Sequence, residues 1–234
     1  MSMIERQAAP LEDDSPRYEF RIWSQDFGHL FNCLRTIGRL CDIQGCTDRY
    51  IVSSEVTTFS AKIRGSSIDV KQLVERRRPL EKWRAYLKLE FPLDRRTLQA
   101  TIAPVLALEP ERLALDRYSA DSFLRAAVAR NPSLACVTVQ KTRFLFSVGG
   151  CRAEYTAASV AGSMLDTVAI EGPEPAAVLR LITRLGLRDH ENLDYPRAIR
   201  RYASAGAPGT LAWTREPGFQ QAAGQAPAAD TGKE

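Results

Sequence analysis

The sequence predicts an α+β protein built mainly from antiparallel strands. Three observations carry this reading. Segment after segment alternates charged and apolar residues, the period-two signature of a strand with two unlike faces. Short turn dipeptides, Gly65-Ser66 and Gly149-Gly150, join neighbouring segments as hairpins. The helical stretches fall between groups of strands, and there is no GxGxxG, GxxxxGK[ST] or GxSxG, so a βαβ nucleotide fold, a P-loop and an α/β-hydrolase have no motif support.

In chain order the expected strands are RYEFRIW (17–23), RYIVS (49–53), TFSAKIR (58–64), SIDVK (67–71), KWRAYLKLEF (82–91, stopping at Pro92), CVTVQKTRFLFSV (136–148), CRAEYTA (151–157) and LDTVAIE (165–171). Helices are expected over 24–37, with Ser24 as N-cap and Gly38 as the stop. Others are expected over 94–105 and 119–129, each with a polar start, and over 174–185, with Pro175 in its first turn and Gly186 as its stop. A short one, 196–202, closes the body.

Composition narrows the class. The chain has 234 residues, the length of one domain with tails, and its 44% hydrophobic content suffices for a core. The formal charge is only +4, too mild to demand DNA. No run approaches the roughly 18 apolar residues of a membrane span. The opening MSMIERQAAPLEDDSP lacks an apolar signal core, so a cytoplasmic protein is expected. Five cysteines without a CxxC then read as reduced thiols, with Cys41 and Cys46 flanking a loop. Two histidines, His29 and His190, leave little for a His-based relay or metal site. Residues 1–15 are expected to be flexible, 16–204 to fold, and 205–234, rich in Ala, Gly, Pro and Gln, to be a disordered tail.

The chemistry sits on the strand faces. Residues i and i+2 share a face, so Arg17, Glu19 and Arg21 point one way and Tyr18, Phe20 and Ile22 the other. Lys62 goes with Arg64, Asp69 with Lys71, Lys88 with Glu90, Lys141 with Arg143, and Arg152 with Glu154. Glu171 shares its face with Ala169. On an open sheet such a face is simply solvated. On a curved or closed sheet it lines an interior suited to a polyanion, with arginine forking onto phosphate oxygens and lysine acting as a point charge. Carboxylates among them would face phosphate only across a divalent cation such as Mg²⁺ or Mn²⁺. The run Arg76-Arg77-Arg78 reads as a solvated loop, or as a rim steering the anion inward.

In order, these segments resemble the CYTH superfamily, the triphosphate tunnel metalloenzymes. RYEFR stands where that family has ExExK; KIR (62–64) resembles its R-x-R pair, IDVK (68–71) the next lysine strand, and QKTR (140–143) the K-x-R strand. VAIEG (168–172) resembles the late E-x-E strand, and LGLRDHENLDYPRAI the closing segment. The resemblance implies a closed antiparallel β-barrel of about eight strands with flanking helices. It implies a triphosphate bound in the tunnel by Arg21, Lys62, Arg64, Lys71, Lys88, Lys141 and Arg143. It implies metal held by Glu19, Glu154 and Glu171, with Glu19 and Glu171 catalytic. Two departures stand out: Arg17 and Ala169 each replace the first glutamate of a family pair, which halves the metal-holding carboxylates and leaves the cations intact.

The expected function is metal-dependent hydrolysis of a triphosphate-bearing small molecule, inorganic triphosphate being the simplest. The alternative is a non-catalytic module that binds or senses triphosphate or polyphosphate. A third reading is a binder of RNA 5′-triphosphate ends. Neither DNA nor membrane is an expected partner.

Overall fold

A computed structural model describes residues 15–205, so the expected N-terminal segment, but for Ser15, and nearly all of the expected tail lie outside the described residues. Eight strands close into an antiparallel barrel in the order β1-β10-β9-β8-β2-β3-β4-β5, with β5 returning to β1. In chain order the elements begin with β1 (Arg17–Ser24), α1 (Gly28–Ile37), β2 (Arg39–Ser53), β3 (Phe59–Arg64), β4 (Ser67–Arg77) and β5 (Leu80–Glu90). An insert follows: β6 (Leu93–Asp94), α2 (Arg95–Thr97), a π-helical turn Leu98–Ile102, α3 (Ala103–Leu106), β7 (Arg117–Tyr118), α4 (Ala120–Phe123) and a second π-helical turn Leu124–Val128. The chain then completes the barrel with β8 (Leu134–Val148), β9 (Cys151–Val160) and β10 (Ser163–Gly172), and ends in α5 (Pro175–Arg184) and α6 (Tyr195–Ala205).

The alternation predicted in the strands decides what packs where. The outward residues of β1, Tyr18, Phe20 and Ile22, join Leu30 and Leu34 of α1 and Val178, Leu181 and Ile182 of α5 in one core. A second core forms where Ala61, Ile63, Ile68 and Val70 meet Leu98, Ile102, Tyr118 and Phe123 of the insert. The third is different in kind: α6 packs Tyr195, Ala198 and Ile199 onto Trp23, Tyr50, Val139 and Ala158, residues that point into the barrel. This helix therefore fills one end of the bore.

Three sequence expectations change. The first helix begins at Gly28, not Ser24, because Ser24 continues the β1–β10 ladder opposite Asp166, and its hydroxyl instead accepts from the Asp26 N–H. The second strand is ten residues longer at its start than RYIVS, running from Arg39 and paired with β8 along its length. Residues 39–43 are all exposed, so no apolar alternation marks them, and Cys41 and Cys46 lie on this strand instead of flanking a loop. Arg76 and Arg77 end β4, and Arg76 pairs with Glu81 at 3.1 Å. The remaining boundaries move by a few residues, with β4 extended by six, and Asp94 and Ser119 do cap the helices they precede.

Phe20 is fully buried at the centre of the α1–α5 core. Phe20→Ala should lower unfolding stability by about 3–5 kcal/mol, read as a shifted urea midpoint with an unchanged slope.

Candidate functional site

The inward faces of the strands enclose a cavity of about 590 Å³. All seven cations singled out in the sequence, Arg21, Lys62, Arg64, Lys71, Lys88, Lys141 and Arg143, line it, together with four carboxylates, Glu19, Asp69, Glu154 and Asp194. The strand period brings them together: each pair two apart on β1, β3, β4 and β8 shares the inner face. Seven like charges around one space repel, so their arrangement depends on where the negative charge sits.

Two carboxylates organise most of the cluster. Asp48 on β2 is fully buried. It takes a fork from Arg64, Nε to Oδ1 at 2.6 Å and Nη2 to Oδ2 at 2.9 Å, and accepts from Lys141 Nζ at 2.7 Å. Lys62 Nζ stands 3.7 Å away. Burial opposes ionisation of Asp48, but the Arg64 hydrogen bonds and the charges of Lys62 and Lys141 hold its carboxyl well below the usual range. Lys141 is enclosed: its ammonium also donates to Tyr50 Oη at 2.8 Å and sits 3.7 Å from the centre of the Tyr195 ring. Burial pushes it down to about 7 despite Asp48, since Asp48 is shared with Arg64 and Lys62, and Lys62 repels it.

Glu154 on β9 is the second organiser. It accepts from Arg143 Nη2 at 2.5 Å, Thr156 Oγ1 at 2.8 Å and Arg21 Nη1 at 3.4 Å. Burial raises its carboxyl, and the charges of Arg21 and Arg143 more than reverse this. Ala169 explains the reach: it lies between Arg21 and Glu154 in the β1–β10–β9 register, and its small side chain leaves the guanidinium a path across the strand. Arg21 also donates to Glu19 through Nε at 3.1 Å, and Lys71 Nζ lies 3.6 Å from the other Glu19 oxygen. Burial works to raise Glu19, and Lys71 and Arg21 outweigh it.

The expected metal ligands are thus committed to cations. Glu154 is held by Arg143 and Arg21, and Glu19 by Arg21 and Lys71. Glu171 stands level with Glu19 on the neighbouring strand but pairs with Arg152, and is not among the residues lining the cavity. Among the described residues no three His, Cys, Asp or Glu side chains form a metal-binding group. As arranged, this donor set does not fit a ready Mg²⁺ or Mn²⁺ site.

Sequence reasoning missed Asp48, Tyr50, Glu81, Asp194 and Tyr195. Asp48 and Tyr50 share a face two residues apart, so extending RYIVS backwards by one residue would have set the carboxylate beside the cations. Asp194 and Tyr195 come from the segment after α5, which carries no strand pattern. Asp194 caps α6 by accepting from the Arg197 N–H at 2.8 Å, and Arg197 reaches Glu81 at 2.7 Å, tying the helix to β5.

No protein-family model matches the chain, and no curated protein matches it. Among solved structures, a conserved hypothetical protein from Pyrococcus furiosus aligns at 15% identity and TM-score 0.48, covering 77% of this chain and 98% of its own. A Hippeastrum protein named for adenylyl cyclase and described as having a dominant triphosphatase activity aligns at 10% identity and TM-score 0.49, covering 80% and 96%. A Bacillus halodurans protein proposed as an adenylate cyclase aligns at 14% and 0.43, covering 80% and 98%. The closed eight-stranded antiparallel barrel with its charged bore is the architecture that the sequence resemblance implies.

Removing Asp48 leaves Arg64 and Lys141 without their shared counter-charge. Asp48→Ala should cost about 3–5 kcal/mol in chemical unfolding, more than Asp69→Ala, whose carboxylate is partly exposed and lies 3.9 Å from Lys62.

Proposed function

We propose that the barrel binds the phosphate chain of a triphosphate-bearing compound. The observation that carries this is the convergence of seven cations on one cavity, against four lining carboxylates and the buried Asp48 behind them, which still leaves an excess of positive charge. Arg21 and Lys141 have their donors turned to Glu154, Glu19, Asp48 and Tyr50, so they supply charge from beneath. Direct contact falls to Lys62, Arg64, Lys71, Lys88 and Arg143. Lys71 is half exposed and the best placed to move. Lysines there act as mobile point charges, and the arginines, whose forks hold Asp48 and Glu154, offer their charge and remaining N–H groups to phosphate oxygens. No helix among the described residues is long and apolar enough to cross a membrane, and a cytoplasmic setting with small anionic ligands goes with the reading.

Metal-dependent hydrolysis is the second reading, favoured by Glu19 and Glu171 standing level on adjacent strands. It requires Glu171 to leave Arg152, and Glu19 to leave Lys71, before either serves Mg²⁺ or Mn²⁺. Phosphate release from inorganic, thiamine and nucleoside triphosphates, each with Mg²⁺, Mn²⁺ or EDTA, separates the two. Binding that survives EDTA without release supports the first. Metal-dependent release that Glu19→Gln abolishes supports the second. An RNA 5′-triphosphate end would bind where a 5′-hydroxyl oligomer does not.

In calorimetry with inorganic triphosphate and EDTA, the Lys62→Ala/Lys71→Ala double variant should bind roughly a hundredfold more weakly, on the order of 1.5 kcal/mol per charged contact. Affinity should also fall as pH rises through about 7, where Lys141 loses its proton. The groups facing Lys141 are Asp48 and Tyr50 on β2, Lys62 on β3, Glu154 on β9 and Tyr195 on α6. A bound polyanion favours the ammonium, so binding takes up a proton above pH 7 and weakens there. Lys141→Arg, charged throughout, should flatten the profile.

A further inference from the structure

The Tyr195 hydroxyl is buried and, among the described residues, has no hydrogen-bond partner. Buried polar atoms in folded proteins are almost always hydrogen-bonded, because water no longer serves them. Ring packing does not account for the hydroxyl. The ring stacks on Tyr50 at 4.9 Å and meets Trp23 edge-on at 4.8 Å. Lys141 and Arg21 sit over it at 3.7 and 4.7 Å. Phenylalanine would serve in each of these contacts. Tyr50 differs, since its own hydroxyl accepts from Lys141.

The segment that delivers Tyr195 is pinned to the tunnel wall. β1 pairs with β5 only over Arg17–Glu19, and the residues before α6 take the edge beyond. Asn192 accepts from the Arg21 N–H at 2.9 Å and donates to the main-chain oxygens of Glu19 at 3.1 Å and Pro79 at 2.9 Å. Leu193 donates to the Arg21 carbonyl at 2.7 Å, and its own carbonyl accepts from the Trp23 indole at 2.8 Å. Tyr195 is thereby fixed beside Arg21, where it lines the cavity. The charges that act on its hydroxyl are Arg21, Glu154, Arg143 and Asp48, the groups that build the phosphate-binding wall. Burial keeps the hydroxyl protonated against the pull of Arg21, well above the ordinary phenol range. It is therefore a neutral donor, and its missing partner is an acceptor. The cations around it cannot accept. Glu154 takes its bonds from Arg143, Arg21 and Thr156, and Asp48 from Arg64 and Lys141. An acceptor at home among these cations is an anionic oxygen.

Resting on the phosphate-binding reading, we propose that Tyr195 is a ligand-binding residue whose hydroxyl donates a hydrogen bond to an oxygen of the innermost phosphate. α6 fills the bore behind it, so the phosphate that reaches Tyr195 is the end of the chain. The hydroxyl is enclosed in the free protein, and the side chains around it give way as the phosphate enters. The fold thus holds a donor that only the ligand satisfies. The site is incomplete without the segment that leads into α6.

The test is calorimetry with inorganic triphosphate in EDTA, run beside urea unfolding, on the full chain and on its Tyr195→Phe variant. The variant keeps the ring and removes only the hydroxyl. It should bind inorganic triphosphate roughly ten- to a hundredfold more weakly, the span of one hydrogen bond to a charged group. Its urea midpoint without ligand should equal or exceed that of the wild type, because an unsatisfied buried group has gone. A packing role for the ring alone predicts no change in binding. Unchanged affinity in the variant overturns the role of Tyr195 and leaves the phosphate-binding reading intact. A lowered midpoint, or a variant that does not fold, does the same, since either means that the hydroxyl already has a partner in the free protein. No binding of inorganic triphosphate by the wild type overturns both.

Discussion

The charged wall of this barrel depends on the ion pairs of Asp48. Without a buried carboxylate at that point, Arg64, Lys62 and Lys141 would face one another across a space too small to screen them. Asp48 accepts the Arg64 fork and the Lys141 ammonium at 2.7 Å, and so fixes the β2, β3 and β8 side of the tunnel. Glu154 does the same for Arg143 and Arg21 on the β8, β9 and β1 side. These carboxylates are internal counter-ions. They let the fold tolerate an excess of cations in the absence of ligand, and they leave the outer lysines, Lys62 and Lys71, with charge to spare for an anion.

This arrangement also accounts for the two departures from the family pattern. Ala169 opens the path by which Arg21 reaches Glu154 across β10. Glu19, without a second glutamate at position 17, is drawn into pairs with Arg21 and Lys71. The tunnel is organised around carboxylate–cation pairs where a metalloenzyme needs carboxylates turned to a metal. That is why binding ranks above hydrolysis in the proposed function.

Much of the architecture was legible because a strand with one charged and one apolar face leaves a two-residue period in its sequence. RYEFRIW, TFSAKIR and QKTRFLF carry that period, and their inward residues are the ones that meet in the cavity. What failed had physical causes. The first part of β2 is exposed, so no apolar alternation announces it, and the expected strand stopped one residue short of Asp48; Tyr50 lay within that strand, but without Asp48 nothing marked its face as part of the site. Tyr195 and Asp194 reach the site from a segment distant in sequence, and only the packing of α6 onto inward-facing residues brings them there. Alternation counted from Lys88 sets Trp83 on the outer face of its strand, and only the register shift between Leu87 and Ala85 turns both residues inward.

The most direct test is a crystal structure of the protein grown with inorganic triphosphate and EDTA. The account predicts phosphates inside the barrel, in contact with Lys62, Lys71 and Arg143, with the Asp48–Arg64 and Glu154–Arg143 pairs still closed. Phosphates bound only outside the barrel would contradict it. So would phosphates that enter only when Mg²⁺ is supplied, with Glu19 and Glu171 turned to the metal.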